Sequence, residues 1–156
     1  MTDSAETGGP PANRMVIAVL SLVGFFICFY LIAHYYGWTG PLVCGVGDCG
    51  AVQASPYAKI GGIPLSVFGL GGYVLLLGTS FVGIQPGRRD SRLIGVVLMA
   101  VASFGLGVSG YLTYLEAAVI HAWCQWCVMS AILMTLIFLA SLVEIGRVRA
   151  RPAEAS

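Results

Sequence analysis

Four apolar stretches dominate this chain and leave it little choice of fold. They run about Met15–Tyr35, Pro64–Ile84, Leu93–Leu115 and Cys124–Ile145. Each is long enough to cross a hydrocarbon core, which takes roughly 20 helical residues. Lipid offers no water to backbone N–H and C=O groups, so each stretch must be a helix that pairs them internally. Hydrophobic residues make up 58% of the 156 and charged residues 10%, against about a quarter charged in a soluble domain. The chain therefore reads as an all-α membrane protein, a four-transmembrane-helix bundle forming one membrane domain over residues 14–147. Residues 1–13 are polar and rich in Gly, Pro and Ala and read as a disordered tail, with a second tail at 148–156. No cleavable signal peptide is expected, because the first apolar run is too long for one.

Charge sets the direction of the spans. Lys and Arg accumulate on the cytoplasmic side of a membrane. Arg14, Arg88, Arg89, Arg92, Arg147, Arg149 and Arg151 all fall at the amino end, the second turn or the carboxyl end, and only Lys59 lies elsewhere. Seven of eight cations thus place both termini in the cytoplasm. The long segment 36–63 and the short turn 116–123 are then extracytoplasmic. On the third span Ser103, Gly107 and Gly110, with Gly105 and Ser109 between them, predict close helix packing.

Cysteines carry the chemistry. Cys44 and Cys49 lie in VCGVGDCG within the first outer segment, and Cys124 and Cys127 lie in WCQWC at the mouth of the fourth span. Positions i and i+3 share a helix face, and a helix amino end stabilises a thiolate. Cys124 is expected to be the more exposed sulfur. At about 1.5 Å per residue, Cys127 is expected about 4.5 Å deeper, and as a thiolate. Trp123 and Trp126 suit an interface. This pair reads as a redox couple, a structural disulfide, two packed thiols or half of a zinc site. Gly45, Gly47 and Gly50 make the loop pair's segment flexible, as a disulfide that opens and re-forms requires; the alternative is a static clip. Cys28, midway along the first span, reads as a small hydrophobe. Four sulfurs on one side of the bilayer can pass two electrons from a water-soluble donor to a lipid-soluble acceptor. A transport or scaffold subunit with static disulfides is the other class. Transporters usually carry ionisable residues within their spans, and the cores of these four lack Asp, Glu, Lys and Arg.

The order of motifs is a loop cysteine pair, then SPYA, then GIPLSVFG opening the second span, then WCQWC opening the fourth. Over residues 15–146 this resembles the vitamin K epoxide reductase family, in its bacterial branch. The resemblance implies a four-helix bundle around a quinone, menaquinone or ubiquinone, capped by the extracytoplasmic loop between helices 1 and 2. Cys124 and Cys127 match the active-site pair, with Cys127 nearest the quinone, and Cys44 and Cys49 match the loop shuttle. Ser55 matches a Ser/Thr of the cap, to bond the quinone site or cap a helix. Bacterial members oxidise a thioredoxin-fold, DsbA-like partner and reduce quinone, supporting disulfide formation. This implies a bacterial inner-membrane enzyme with a periplasmic site: the partner attacks the Cys44–Cys49 disulfide, a loop thiolate attacks Cys124, and Cys127 serves the quinone. Phe68, Tyr111, Tyr114 and Ala131 are candidate quinone-pocket positions, the aromatic ones alternatively being interfacial anchors. No metal is expected.

The chain departs from the family pattern in places. Its loop pair is C-x4-C, shorter than the spacing often found. Ala131 stands where animal members carry Tyr, and Leu65 where they carry an Asn that bonds the quinone. Many bacterial relatives carry a thioredoxin-like domain after the fourth span; here the partner is expected to be a separate protein. A DsbB-like enzyme of equivalent activity would place its C-x-x-C in the first outer segment, the reverse order. His121 reads as a proton-handling or merely interfacial residue, His34 as interfacial, and Glu116 and Asp48 as solvated.

Overall fold

The computed structural model describes residues 12–88 and 91–154. Helix α1 (Ala12–Tyr35) leads into a cap made of a short α2 (Cys49–Ala54), a 3-10 turn (Pro56–Ala58) and two short strands, β1 (Lys59–Ile60) and β2 (Ile63–Pro64). Then come α3 (Leu65–Ile84), α4 (Arg92–Leu115) with a π turn at its end (Glu116–Ile120), and α5 (Gln125–Glu154). The four long helices are each long and apolar enough to cross a membrane, and they coincide with the four expected spans. Of the expected tails, residues 1–11 and 155–156 lie outside the described residues; helix reaches into both tails, from Ala12 and as far as Glu154.

Helix α1 packs on α3 and α5, and α4 packs on α5 and α3, closing a four-membered ring. Its centre holds Ile17, Tyr73, Leu76, Leu98, Ala102 and Ile137, all sealed from the exterior. Outside the ring Phe26, Phe81, Leu93 and Phe104 are exposed. In water so apolar an exterior would be an aggregation surface, whereas hydrocarbon accepts it.

Close helix approach occurs at Gly105, one of the small residues the sequence singled out, and at Gly24, which it did not. A Cβ on Gly24 would fall 2.2 Å from the Tyr73 ring, and one on Gly105 would fall 2.7 Å from Met134 Sδ. Gly107 and Gly110 have open space around them, and Ser103, Gly107 and Gly110 are all exposed. Helix α4 turns its Ile94, Leu98, Ala102 ladder inward, which leaves the 103/107/110 stripe outside.

One end of the bundle is locked by a buried ion pair. Arg14, fully buried, donates from Nε to Glu144 Oε1 at 2.8 Å, and its Nη2 lies 2.7 Å from the same oxygen. Its Nη1 donates to the carbonyls of Gly83 (2.5 Å) and Arg88 (3.1 Å). One guanidinium thus ties α1 to α5, to the end of α3 and to the turn that follows. At the other end the cap folds back on α1. Gly61 and Gly62 both have positive φ (59° and 84°) and close the β1–β2 hairpin, as two-residue hairpin loops require. The Tyr35 hydroxyl donates to Gly62 O at 3.2 Å, and Lys59 Nζ lies 5.2 Å from the centre of the Tyr35 ring.

Candidate active site

The site is built where the cap meets the start of α5. After the π turn, His121 adopts a left-handed conformation (φ 54°) and reverses the chain, with Ala122 N–H donating to Glu116 O at 3.2 Å. Cys124 then occupies the N-cap of α5: its carbonyl accepts the Val128 N–H at 3.0 Å, and its sulfur accepts the Cys127 N–H. A cap side chain normally takes such a bond through oxygen; here the acceptor is sulfur. The Cys124 pKa is lowered to about 7, first by the hydrogen bond from the Cys127 thiol, then by the Cys127 N–H and the Gln53 amide acting against burial. The hydrogen bonds at the helix end therefore favour ionisation at Cys124, whereas the sequence pointed to Cys127, which lies three residues into the helix and acts as donor. The exposure order is also reversed: Cys124 is 0% exposed and Cys127 only half-buried, because the loop docks over Cys124.

That docking is dense. The Trp126 indole donates to Val43 O (2.9 Å), and Gln125 Oε1 accepts the N–H groups of Gly45 (3.0 Å) and Val46 (3.2 Å). Gly47 pairs with Cys124 as an isolated antiparallel bridge, and Asp48 N–H donates to Trp123 O at 2.9 Å. Gly47 has φ +87°, and a Cβ there would fall 2.2 Å from Trp123 O. Its glycine character serves close approach, not the looseness expected of it. Cys44 and Cys49 form a disulfide with Cα atoms 6.0 Å apart, while Cys124 and Cys127 are free thiols. Cys49, Val52 and Cys124 form one buried cluster against which Cys44 and Cys127 pack. Cys49 and Cys124 are sealed inside it; Cys44 is half-buried. With two sulfurs joined to each other, the four-thiolate zinc alternative loses half its ligands.

Sequence reasoning missed two side chains. Gln53 reaches from α2 to both helix-mouth sulfurs, its Nε2 lying 3.9 Å from Cys124 Sγ and 3.7 Å from Cys127 Sγ. It lies four residues after Cys49, on the same helical face, which was the available signal. Glu116 is 3% exposed, not solvated as expected. Its Oε2 accepts the Cys124 N–H at 3.1 Å, and its carboxyl lies beside the Cys127 side chain. The signal was its isolation: no other acidic residue lies between Asp90 and Glu144.

The remaining candidates divide. Ser55 ends α2 and opens the 3-10 turn without a side-chain capping bond, and its hydroxyl is buried without a partner. Phe68, Tyr111 and Tyr114 are 51%, 59% and 62% exposed on the bundle exterior. Tyr111 ends an open groove along α4 with Ser103, Phe104, Gly107 and Val108. Ala131 is half-buried on α5, its carbonyl taking the Thr135 hydroxyl at 2.8 Å. His121 is exposed and shapes the turn through its backbone; His34 Nδ1 lies 3.2 Å from Gly40 O. Asp48 is exposed, and its carboxylate caps α2 by accepting Ala51 N–H at 2.9 Å.

The sequence model described as "Vitamin K epoxide reductase family" matches residues 15–142, a span that holds both cysteine pairs, the cap and the bundle. A membrane four-helix bundle that brings a loop disulfide onto a helix-mouth dithiol agrees with that match, and the chain belongs to the vitamin K epoxide reductase family, a family of oxidoreductases.

Proposed function

We propose that the protein is a thiol–quinone oxidoreductase that oxidises a separate thioredoxin-fold, DsbA-like partner and reduces a membrane quinone, menaquinone or ubiquinone, in support of disulfide formation. The observation that carries this reading is the joint burial of Cys49 and Cys124 beneath a half-exposed Cys44. The partner's thiolate attacks Cys44, the accessible sulfur of the loop disulfide, and Cys49 leaves; the partner's second thiol then frees Cys44. The Cys49 thiolate attacks Cys124 within an oxidised helix pair, and Cys127 leaves. Cys44 re-forms its bond with Cys49 and releases Cys124. The result is an oxidised loop and a reduced helix pair, which is the state of the sulfurs described above. Disulfide exchange needs each attacking thiolate close to its target sulfur, and the docked loop supplies that proximity.

A quinone supplies a two-electron acceptor whose carbonyl oxygens take hydrogen bonds. The buried, unpartnered hydroxyls of Ser55 in the cap and Ser66 at the head of α3 fit that need. We place the cysteine end in the periplasm and both termini in the cytoplasm of a bacterial inner membrane, on the strength of the cation distribution. The test is quinone reduction by a reduced thioredoxin-fold partner, with Cys127→Ala beside the native protein. Quinol formation lost in the variant is expected; equal turnover would overturn the assignment.

A further inference from the structure

Two glutamates of this bundle are almost completely buried, and they differ in company. Glu144 is matched by Arg14. Among the described residues no cation pairs with Glu116. The ionisable residues beside it are Cys124, whose N–H its Oε2 accepts at 3.1 Å, and Cys127, one turn further along the same helix mouth. Helix α4 carries no charged residue between Arg92 and Glu116, and α5 none between Gln125 and Glu144. The adjoining α2 offers Cys49, held in a disulfide, and Gln53; Asp48 at its N-cap is exposed and bonded to Ala51. His121, on the same turn, is exposed. A buried carboxyl without a counter-ion opposes folding, so stability does not account for it. Its position does: it lies beside the sulfur that must lose a proton.

We infer that Glu116 is a catalytic residue, the base that accepts the Cys127 thiol proton when the helix pair is oxidised and hands it on to the reduced acceptor. The inference rests on the thiol–quinone reading above. As the Cys124–Cys127 bond forms, the two sulfurs give up two electrons. Cys127 gives its proton to Glu116, and the proton that Cys124 lost on ionising is already in water. The quinone takes both electrons, one proton from Glu116 and one from water, and becomes a quinol; Glu116 returns to its starting form. The π turn is what makes this possible. It widens the end of α4, and Glu116 O also accepts the Ala122 N–H, so the chain that leads to Cys124 is fixed to the residue that serves Cys127.

Glu116→Gln keeps the size and the acceptor for the Cys124 N–H but cannot take a proton; Glu116→Asp keeps the carboxyl. The protein, full-length in detergent, is loaded to the loop-oxidised, helix-reduced state and mixed with a soluble quinone in a single turnover. Loss of the Cys127 thiol is followed by acid quench and mass spectrometry across pH. General-base catalysis is worth about 10²–10⁴-fold. A slowing of at least 100-fold is expected for Glu116→Gln, shrinking as hydroxide rises, with partial rescue in Glu116→Asp. Iodoacetamide labelling of Cys127, which needs no quinone, is expected to begin at lower pH in Glu116→Gln, because a negative neighbour has gone. Slower oxidation beside easier thiolate formation is not what a merely structural residue gives. Unchanged oxidation and an unchanged labelling profile in a Glu116→Gln protein that still accepts electrons from its loop would overturn the inference. Failure of the native protein to react with quinone, with the labelling shift intact, would instead overturn the acceptor.

Discussion

Gly47→Ala probes the contact on which the proposed electron transfer between the cysteine pairs depends. A methyl group at Gly47 would sit 2.2 Å from Trp123 O, whereas ordinary contact begins at 3.4 Å, so the two segments must part by about 1.2 Å. The neighbouring bond from Asp48 N–H to Trp123 O, now 2.9 Å, would then stretch to about 4.1 Å, beyond hydrogen-bond reach. Losing it costs roughly 1 kcal/mol, and holding alanine in a left-handed conformation costs roughly 1–2 kcal/mol. The docked loop should therefore lose about 2–3 kcal/mol, or roughly 30- to 150-fold in its docked-to-open ratio at 1.36 kcal/mol per decade. Hydrogen exchange at the Asp48 amide reads that ratio directly, because exchange proceeds through local opening. Gly40→Ala is the control, since nothing lies near its Cβ position. Protection of the Asp48 amide in Gly47→Ala within about threefold of the native protein would refute the docking scheme and its energetics.

Arg14→Met should cost about 3–5 kcal/mol of stability by stranding Glu144, and Arg14→Met with Glu144→Leu should recover most of it; thermal unfolding in detergent measures both. Gln53→Ala should raise the midpoint of Cys124 ionisation above about 7, because an N–H that favours the thiolate is removed; ultraviolet thiolate absorbance during a pH titration shows the direction. Cys44→Ser should give a Cys49–Cys124 bridge under mild oxidation, while Cys49→Ser should give no Cys44–Cys124 bridge; non-reducing peptide mapping distinguishes them.

The bundle was readable because lipid imposes a single rule on length and polarity, and the four spans obeyed it. The cysteine motifs were readable because spacing places Cys124 and Cys127 within one turn at the start of α5, as N-cap and third helical residue. What the sequence hid was register at the mouth of α5. A π turn and a left-handed His121 make Cys124 the N-cap and not the first helical residue of the span, and neither leaves a signature in composition. That shift reversed the order of exposure expected of Cys124 and Cys127. Glu116 looked solvated because a lone acid near a span end normally is, and only the folded turn reveals that it points inward. Likewise Gly47 looked like slack chain, since a glycine demanded by a distant carbonyl resembles one demanded by mobility. The small-residue stripe on α4 misled because periodicity reports a face without saying which way the face looks.

The Arg14–Glu144 pair joins residues 130 positions apart. Its arginine is synthesised 130 residues before its carboxylate, so during translation the first helix waits with an unmatched cation while three more helices are made. The clasp can close only when the fourth long helix has left the ribosome. Truncated products lack that fastening, which gives quality-control proteases a physical difference by which to tell an unfinished bundle from a finished one.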